Sequence, residues 1–464
     1  MKNMSLKQKV GLLLGVVGFI LPQLFDIPGL SEAGQLALGI LITAAIFWMT
    51  EPVPIFSTSI LVIFLQSLLL SKQGLLNWGD GSFDAPSYSV YMATLASPII
   101  ILFLGGFMLA DGAVKFDLDK NLTRILLKPF GNKPAIILLG LMIVTAILSA
   151  FMSNTATTAM MMTVILPILA KTKAGDPFKI ALLLCIPFAA NIGGIATPIG
   201  TPPNAIVIGA LTKSGIDISF TYWMVLALPF VIAMLAVTWF ILLKMYKPIT
   251  DSIAMDLTGS FKKSTAAFVL YGIFILTIGL WVTESLHGLS SSLVALVPVA
   301  GLTLTGVLSK ADVRKLPWEV LWLMAGGLAL GIVMQSTGLA EWLISLINWT
   351  VLPGTVLLAV FAICAIIISN FISNTVTATL LIPIAISLVT SGAIVGIDML
   401  ILGLVVAISA SSAMMLPIST PPNAIAMSTG LIQTGDMVKA GAVVGLIGLI
   451  FLIALSVLYW PLIH

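Results

Sequence analysis

The stretch Ser153–Thr158, SNTATT, lies deep within an apolar run, and Ser373–Thr379, SNTVTAT, lies in surroundings of the same kind. Neither copy has a charged residue beside it. A hydroxyl or amide taken out of water costs free energy unless it finds a partner. Placing three such side chains in a row, twice, at nearly half-chain spacing therefore calls for a physical reason.

The surroundings set the fold class. Of the 464 residues, 59% are hydrophobic and only 8% are charged, against about 25% charged in an ordinary soluble domain. Apolar runs long enough to cross a hydrocarbon core of about 30 Å recur from end to end. The short alternating strands of an outer-membrane barrel are not visible. The sequence therefore predicts an all-α polytopic membrane protein embedded in a lipid bilayer, whose 39 glycines suit close helix approach. No basic run or aromatic–basic patch accompanies the net charge of +3, so nucleic acid is excluded as a partner. Cys185 and Cys364 both fall in apolar stretches and are expected to be buried small hydrophobes, neither a disulfide pair nor a metal site.

The first 25 residues, MKNMSLKQKVGLLLGVVGFILPQLF, have the shape of a signal peptide. No small-x-small site follows in DIPGLSEAGQ, so an uncleaved first helix is expected. Spans are predicted at 10–25, 34–50, 54–70, 89–110, 178–212, 221–244, 266–285, 289–308, 318–336, 398–432 and 440–462, making 11 transmembrane helices. Two further apolar pairs, 134–170 and 353–390, carry Ser-Asn-Thr at their middles and are read as hairpins that enter and leave on one side. With the N-terminus cytoplasmic, 19 of the 21 Lys and Arg then fall on the cytoplasmic side, Lys72 and Lys213 being the exceptions. Ala113–Gly131 reads as an amphipathic helix lying on that face.

The chain is also a duplicate. Ser149, Phe151 and Ser153-Asn154-Thr155 match Ser369, Phe371 and Ser373-Asn374-Thr375 at an offset of 220. Upstream, Gly105-Gly106 matches Gly326-Gly327 at 221, and downstream GTPPNAI (Gly200–Ile206) matches STPPNAI (Ser419–Ile425) at 219. Under this topology the two hairpins enter from opposite sides. The chain divides into an extra N-terminal helix (1–33), a first repeat (34–250) and an inverted second repeat (251–464). Inverted repeats meeting near the midplane, with interrupted helices there, are built into many secondary transporters.

Irregular backbone survives at membrane depth only when buried in protein or lining a wet cavity. Pro202-Pro203 and Pro421-Pro422 lack N–H donors and bar helical geometry just before them, so each TPPN should split its span into two half-helices. Each Ser-Asn-Thr is rich in N-cap residues and precedes a new helix. Helix N-termini gathered in one place attract anions, with neutral hydroxyl and amide donors helping. Carbonyls freed by unwinding, with Ser and Asn oxygens, make cages suited to Na⁺. A hydroxyl-rich site paired by pseudo-symmetry can hold one carboxylate at each end. A single Ser-Asn-Thr could equally be polar glue between helices, but recurrence in both halves, each time followed by TPPN, argues for a site. The Gly-Gly pairs read as close-packing points, and Met160–Met162 as filler.

No acid lies in the hairpins or beside the TPPN breaks. Glu51, Glu284, Glu319 and Glu341 sit at span ends, and His287 and His464 near extracellular termini, which argues against a proton relay. No protease site, potassium filter or ATP-binding loop can be assembled, so the protein is not expected to be an enzyme and no catalytic residue is assigned. Ion-coupled or exchange transport remains.

Two Ser-Asn-Thr motifs, each followed by TPPN, in eleven spans with two opposed re-entrant hairpins, closely resemble the divalent anion:sodium symporter family over nearly the whole chain. The resemblance implies a homodimer in the bacterial inner membrane, with a scaffold domain and an elevator-type transport domain. It implies import of C4-dicarboxylates such as succinate, malate and fumarate with Na⁺ as coupling ion. Carried over by position, Ser153, Asn154, Thr155, Ser373, Asn374, Thr375, Thr201 and Thr420 would face the substrate. One sodium site would use Ser149, Asn154 and the backbone near Gly200; the other would use Ser369, Asn374 and the backbone near Ser419. Asn154 and Asn374 would then touch both ion and substrate. A Na⁺-independent dicarboxylate exchanger of the same fold, or an anion channel, stays open as an alternative. The two hairpins differ after their tips: Pro167 follows Asn154 by 13 residues, whereas Pro383 follows Asn374 by 9.

Overall fold

The structure, a computed structural model, describes residues 4–78, 83–253, 261–346, 353–392 and 396–463; Lys2 and His464 lie outside them. Its regular elements, among these residues, are all helices. Eight are long and apolar enough to cross a membrane: Glu32–Thr50, the kinked Tyr88–Lys115, Pro134–Phe151, Phe220–Met245, Thr265–Val282, Trp318–Ser336, Gly354–Phe371 and the kinked Thr434–Ile463. Five apolar helices are shorter, among them Phe178–Gly194, Asn374–Thr390 and Met399–Ser411. The protein is thus a multi-pass membrane protein.

Local chemistry explains where many helices begin. Ser31, Ser219 and Ser264 each accept a backbone N–H of the first turn, satisfying donors that helix geometry leaves free. The expected 113–131 helix is interrupted. The transmembrane helix runs on to Lys115, Asp117 takes a left-handed conformation at φ 53°, and a separate helix covers Leu118–Leu127. An Asp tolerates that geometry better than most residues.

Two helix pairs hold the Ser-Asn-Thr motifs. Pro134–Phe151 joins Asn154–Lys171 through extended Met152 and Ser153, and Gly354–Phe371 joins Asn374–Thr390 through extended Ile372 and Ser373. The joints share one backbone: φ/ψ is −133°/167° at Met152 and −129°/162° at Ile372. The TPPN elements behave alike. Helix stops at Gly194 and resumes at Pro202, and stops at Ser411 and resumes at Pro421. Thr201 and Thr420, just before the prolines, sit at −148°/143° and −143°/149°, extended as a residue preceding Pro must be.

The helices leading into the breaks form the centre. Every residue of Phe178–Gly194 except Lys179 and Ile180, and every residue of Met399–Ser411 except Met399, is buried. A helix apolar all round belongs inside a bundle. Gly193 lets the first of them approach its neighbour: a Cβ there would lie 2.4 Å from Cα of Ala146. Each Gly-Gly pair faces two neighbours at once. Gly105 abuts the Ala295 backbone and Gly106 abuts Ile199, while Gly326 abuts Ser59 and Gly327 abuts Thr379. Met160–Met162 are buried, as is Cys185, but Cys364 is exposed, contrary to expectation. Its helix turns a large part of its circumference outward, leaving Val360, Ile363 and Ile367 exposed as well.

Candidate functional site

Four helix N-termini converge on one cavity of about 560 Å³. They belong to the helices beginning at Asn154, Pro202, Asn374 and Pro421. Their N-cap residues Ser153, Thr201, Ser373 and Thr420 all line it. The cavity brings together all of Ser153, Asn154, Thr155, Thr201, Ser373, Asn374, Thr375 and Thr420, together with Gly200 and Ser419. Ser149 and Ser369 do not reach its surface; both lie fully buried behind it.

The first half-site is closed on itself. The Ser149 hydroxyl lies 2.6 Å from Asn154 Oδ1 and 2.8 Å from the Ala190 carbonyl, so its single proton serves one acceptor at a time. Gly194 backs the Asn154 amide so closely that a Cβ on it would lie 2.6 Å from Oδ1 and 2.8 Å from Nδ2. Gly200 in turn sits against the Gly194 carbonyl, where a Cβ would be 2.4 Å away. Ser149, Asn154, Gly194 and Gly200 therefore share one pocket of neutral oxygens. In the second half-site, Ser369 Oγ and Asn374 Oδ1 are buried with no hydrogen-bond partner. The two lie at positions equivalent to the bonded pair of the first half, and their chemistry fits a hard cation such as Na⁺.

The unwound loops are held by the asparagines of TPPN, to which the motif reading assigned no role. Asn204 donates its amide N–H groups to the carbonyls of Gly194, Ile195 and Thr197 at 3.0, 3.3 and 2.8 Å. Asn423 donates to those of Met414 and Leu416, both at 3.0 Å, and to Ser419 Oγ at 3.2 Å. Ile195 and Thr197 map onto Met414 and Leu416 at the same offset of 219 that maps Asn204 onto Asn423. The clasp is thus repeated with its targets. Each loop is also tied to its helix pair, though differently. The Thr197 hydroxyl donates to the Ala150 carbonyl in the first half, and the Met415 N–H donates to Asn370 Oδ1 at 2.9 Å in the second.

Three further lining residues escaped the sequence reading. Asn191 projects from the last turn of Phe178–Gly194, and Asp111 and Glu319 line the cavity with Val114 and Pro317. These residues lie where the Pro98–Lys115 helix finishes and the Trp318–Ser336 helix begins, with Lys115, Lys315 and Asp312 near Asp111. The sequence reading placed Glu319 at a span end and did not single out Asp111. A second cavity, about 460 Å³ between Pro134–Phe151 and Phe220–Met245, is lined almost wholly by apolar side chains such as Ile143, Ile147, Leu228 and Val231 and offers an anion nothing.

This arrangement can hold a dianion without a basic residue. The dipoles of four helix ends supply positive potential, and hydroxyls, amides and the backbone N–H groups at the Asn154 and Asn374 helix ends supply donors, the Pro-Pro ends having no N–H at their first two positions. Neutral donors of this kind release a carboxylate more readily than a buried ion pair would.

The chain is similar to known proteins along its length. The sequence profile for the sodium:sulfate symporter transmembrane region matches residues 6–464. The chain is 34% identical to the sodium-dependent dicarboxylate transporter SdcS of Staphylococcus saprophyticus, over 97% of this chain and 91% of that protein. It is 32% identical to SdcS of Staphylococcus aureus strain USA300, over 100% and 93%. Among solved structures, the YdaH transporter of Alcanivorax borkumensis matches with a TM-score of 0.54 over 99% of this chain and 100% of that chain. At 13% identity this is a likeness of fold alone.

Proposed function

The chain belongs to the sodium:sulfate symporter family, and on that premise we propose that it is a secondary transporter importing C4-dicarboxylates (succinate, malate or fumarate) with Na⁺ into a bacterial cell. The observation that carries this reading is the convergence of four helix N-termini on one cavity lined by hydroxyls and amides and by no Lys or Arg. Two N-termini come from each half, which supports one carboxylate at each end of the site. The names of the SdcS relatives, sodium-dependent dicarboxylate transporters, support the same substrate class and coupling ion.

In this reading the two helix pairs are re-entrant hairpins entering from opposite faces, and eleven spans complete the fold. Ser149, Asn154 and the backbone near Gly200 hold one Na⁺; Ser369, Asn374 and the backbone near Ser419 hold another. Coupling follows from the two asparagines being shared. An ion that fixes the Asn154 or Asn374 amide also fixes the donor that the dianion needs, so each ligand raises the affinity for the other. With the lysine-rich side cytoplasmic, the Asp111 and Glu319 side of the cavity faces the cell interior. Transport then requires the helix pairs and broken helices to move as one body past a scaffold, by an elevator-type stroke, in a homodimer.

The test is radiolabelled succinate uptake into proteoliposomes, under an inward Na⁺ gradient against an equal K⁺ gradient with an empty lumen. Saturable uptake only with Na⁺ is expected. Uptake that appears without Na⁺, and only into vesicles preloaded with dicarboxylate, would replace symport by exchange and remove the sodium sites. Non-saturating flux that never exceeds equilibrium would make the protein a channel.

A further inference from the structure

Asn191 breaks the duplication at the site itself. It is 2% exposed, in the last turn of the helix leading into the first break. The offset that maps Thr201 onto Thr420 places Ala410 at the equivalent position. Its amide reaches across to the other half, with Nδ2 3.1 Å from Thr420 Oγ1 and 3.3 Å from Asn423 Oδ1. The orientation of this amide is fixed by its neighbours. Asn423 commits its N–H groups to Met414, Leu416 and Ser419, so its oxygen must face Asn191, and Asn191 must present N–H.

The other half shows what Asn191 does. Asn204 repeats the Asn423 clasp, but with an alanine where Asn191 would have its twin, and Asn204 Oδ1 is buried without a partner.

The consequence falls on Thr420. Its Oγ1 accepts from Asn191 Nδ2 and also from the Asn423 backbone N–H, at 3.3 Å. A hydroxyl oxygen has two lone pairs and one proton. With both lone pairs taken, the Thr420 proton is left to point away from these donors, on a side chain that lines the cavity. Thr201, its twin, caps no backbone N–H with its side chain, and its hydroxyl is free to turn.

We propose that Asn191 is a positioning residue that fixes the Thr420 hydroxyl as an obligatory donor to one carboxylate of the substrate, making the second half-site the more selective end. This inference rests on the dicarboxylate reading above and deepens it. The two ends of the substrate then meet different chemistry. The Thr420 end demands an acceptor, while the Thr201 end accommodates either a donor or an acceptor.

A double-mutant cycle on the full chain tests this, with Na⁺-driven succinate uptake as the readout and KM and maximal rate measured separately. Asn191→Ala and Thr420→Val should each raise KM about tenfold or more, the loss expected for one hydrogen bond to a charged group. If Asn191 acts through Thr420, Asn191→Ala in the Thr420→Val background should add less than about twofold. Additive effects would overturn the proposal, since a merely structural role is indifferent to the Thr420 hydroxyl. Asn191→Asp, an isosteric change, supplies an acceptor where a donor is needed and should behave like Asn191→Ala. A comparison independent of any Asn191 variant is Thr420→Val against Thr201→Val. The freely turning hydroxyl should cost the less, about threefold in KM, and equal or reversed losses would overturn the proposal. Wild-type protein that takes up no succinate with Na⁺ would sink the functional reading instead, so the two failures are distinguishable.

Discussion

Replacing Gly194 by alanine places a methyl group against the Asn154 amide. The new Cβ would stand 2.6 Å from Oδ1, 2.8 Å from Nδ2 and 3.1 Å from Cγ, whereas ordinary contact begins near 3.4 Å. The amide must retreat by roughly 0.5–0.8 Å, which breaks its 2.6 Å contact with Ser149 and withdraws it from the pocket shared with Gly200. Asn154 is only half-buried, so it can swing towards the cavity without disturbing the core. A lost contact to a charged ligand costs about 1.5–3 kcal/mol, or roughly 10- to 150-fold in affinity. The concentration of Na⁺ for half-maximal succinate uptake should therefore rise at least about tenfold, and KM for succinate should rise with it. Two comparison variants separate site from fold. Gly193→Ala meets the Ala146 backbone at 2.4 Å and should reduce the yield of folded protein, since two helices must part. Gly279→Ala meets nothing within 4 Å and should be silent. The measurement is a Na⁺ titration of uptake in proteoliposomes at fixed succinate. A well-folded Gly194→Ala protein that keeps the wild-type half-saturation would refute the role assigned to Asn154.

Four further outcomes are expected. Ser149→Ala removes a bonded hydroxyl and should lower thermal stability in Na⁺-free buffer by about 1 kcal/mol, while Ser369→Ala removes an unpartnered one and should be neutral there but lose the stabilisation that added Na⁺ gives the wild type; equal behaviour of the two would contradict the asymmetry. Burial pushes the Asp176 carboxyl up, but the Thr250 hydroxyl and the N–H groups of Phe178, Ile249 and Thr250 outweigh it and hold it below the usual carboxylate range. Its contribution is therefore fully present above about pH 5 and fades as pH falls through the depressed value, and Asp176→Asn should cost about 1.5–3 kcal/mol at neutral pH with a flatter acid limb in a melting profile. Burial instead raises the Asp119 carboxyl on the Leu118–Leu127 helix. Its folded form holds the proton longer than the unfolded chain does, so the charged group is a burden at neutral pH, and Asp119→Asn should raise the melting temperature by about 1–2 °C at pH 7 with the gain shrinking below pH 4. Asp111 and Glu319 add two carboxyls to the cavity lining; neutralising both as Asn and Gln should lower the half-saturating concentration for succinate efflux severalfold, and an unchanged value would show the pair to be electrostatically idle.

How far the sequence could be read depends on what each residue answers to. Ser153–Thr155, Ser373–Thr375 and the two TPPN elements answer to a local rule: irregular backbone cannot face lipid, and Pro cannot continue the preceding helix. Their positions around one cavity follow from that rule plus the duplication. Asn204 and Asn423 stand inside the quoted motif, yet their work depends on loop carbonyls seven to ten residues upstream, and no spacing rule describes the path of an unwound loop. Asn191 is a single amide in an apolar helix, indistinguishable from helix glue until the other half is placed against it. Asp111 was invisible for a related reason. Its distance along the chain from any motif says nothing of the cavity that the fold wraps around it. The break at Asp117 turns on one φ angle, and the exposure of Cys364 on which way a uniformly apolar helix is turned.

The paired glycines bear on motion in a way that neither sequence nor cavity conveys. Helices that interlock ridge into groove can slide only by lifting side chains out of their sockets. Gly106 under Ile199, Gly327 under Thr379, Gly209 between Ile99 and Leu328, and Gly331 under Pro383 remove one side of such sockets along the boundary facing the broken helices and the second helix pair. The boundary is planed like the race of a bearing. In the elevator-type stroke proposed above, movement across it would meet little friction, and a methyl group added to that race would act as a brake, slowing turnover while leaving the affinity for substrate untouched.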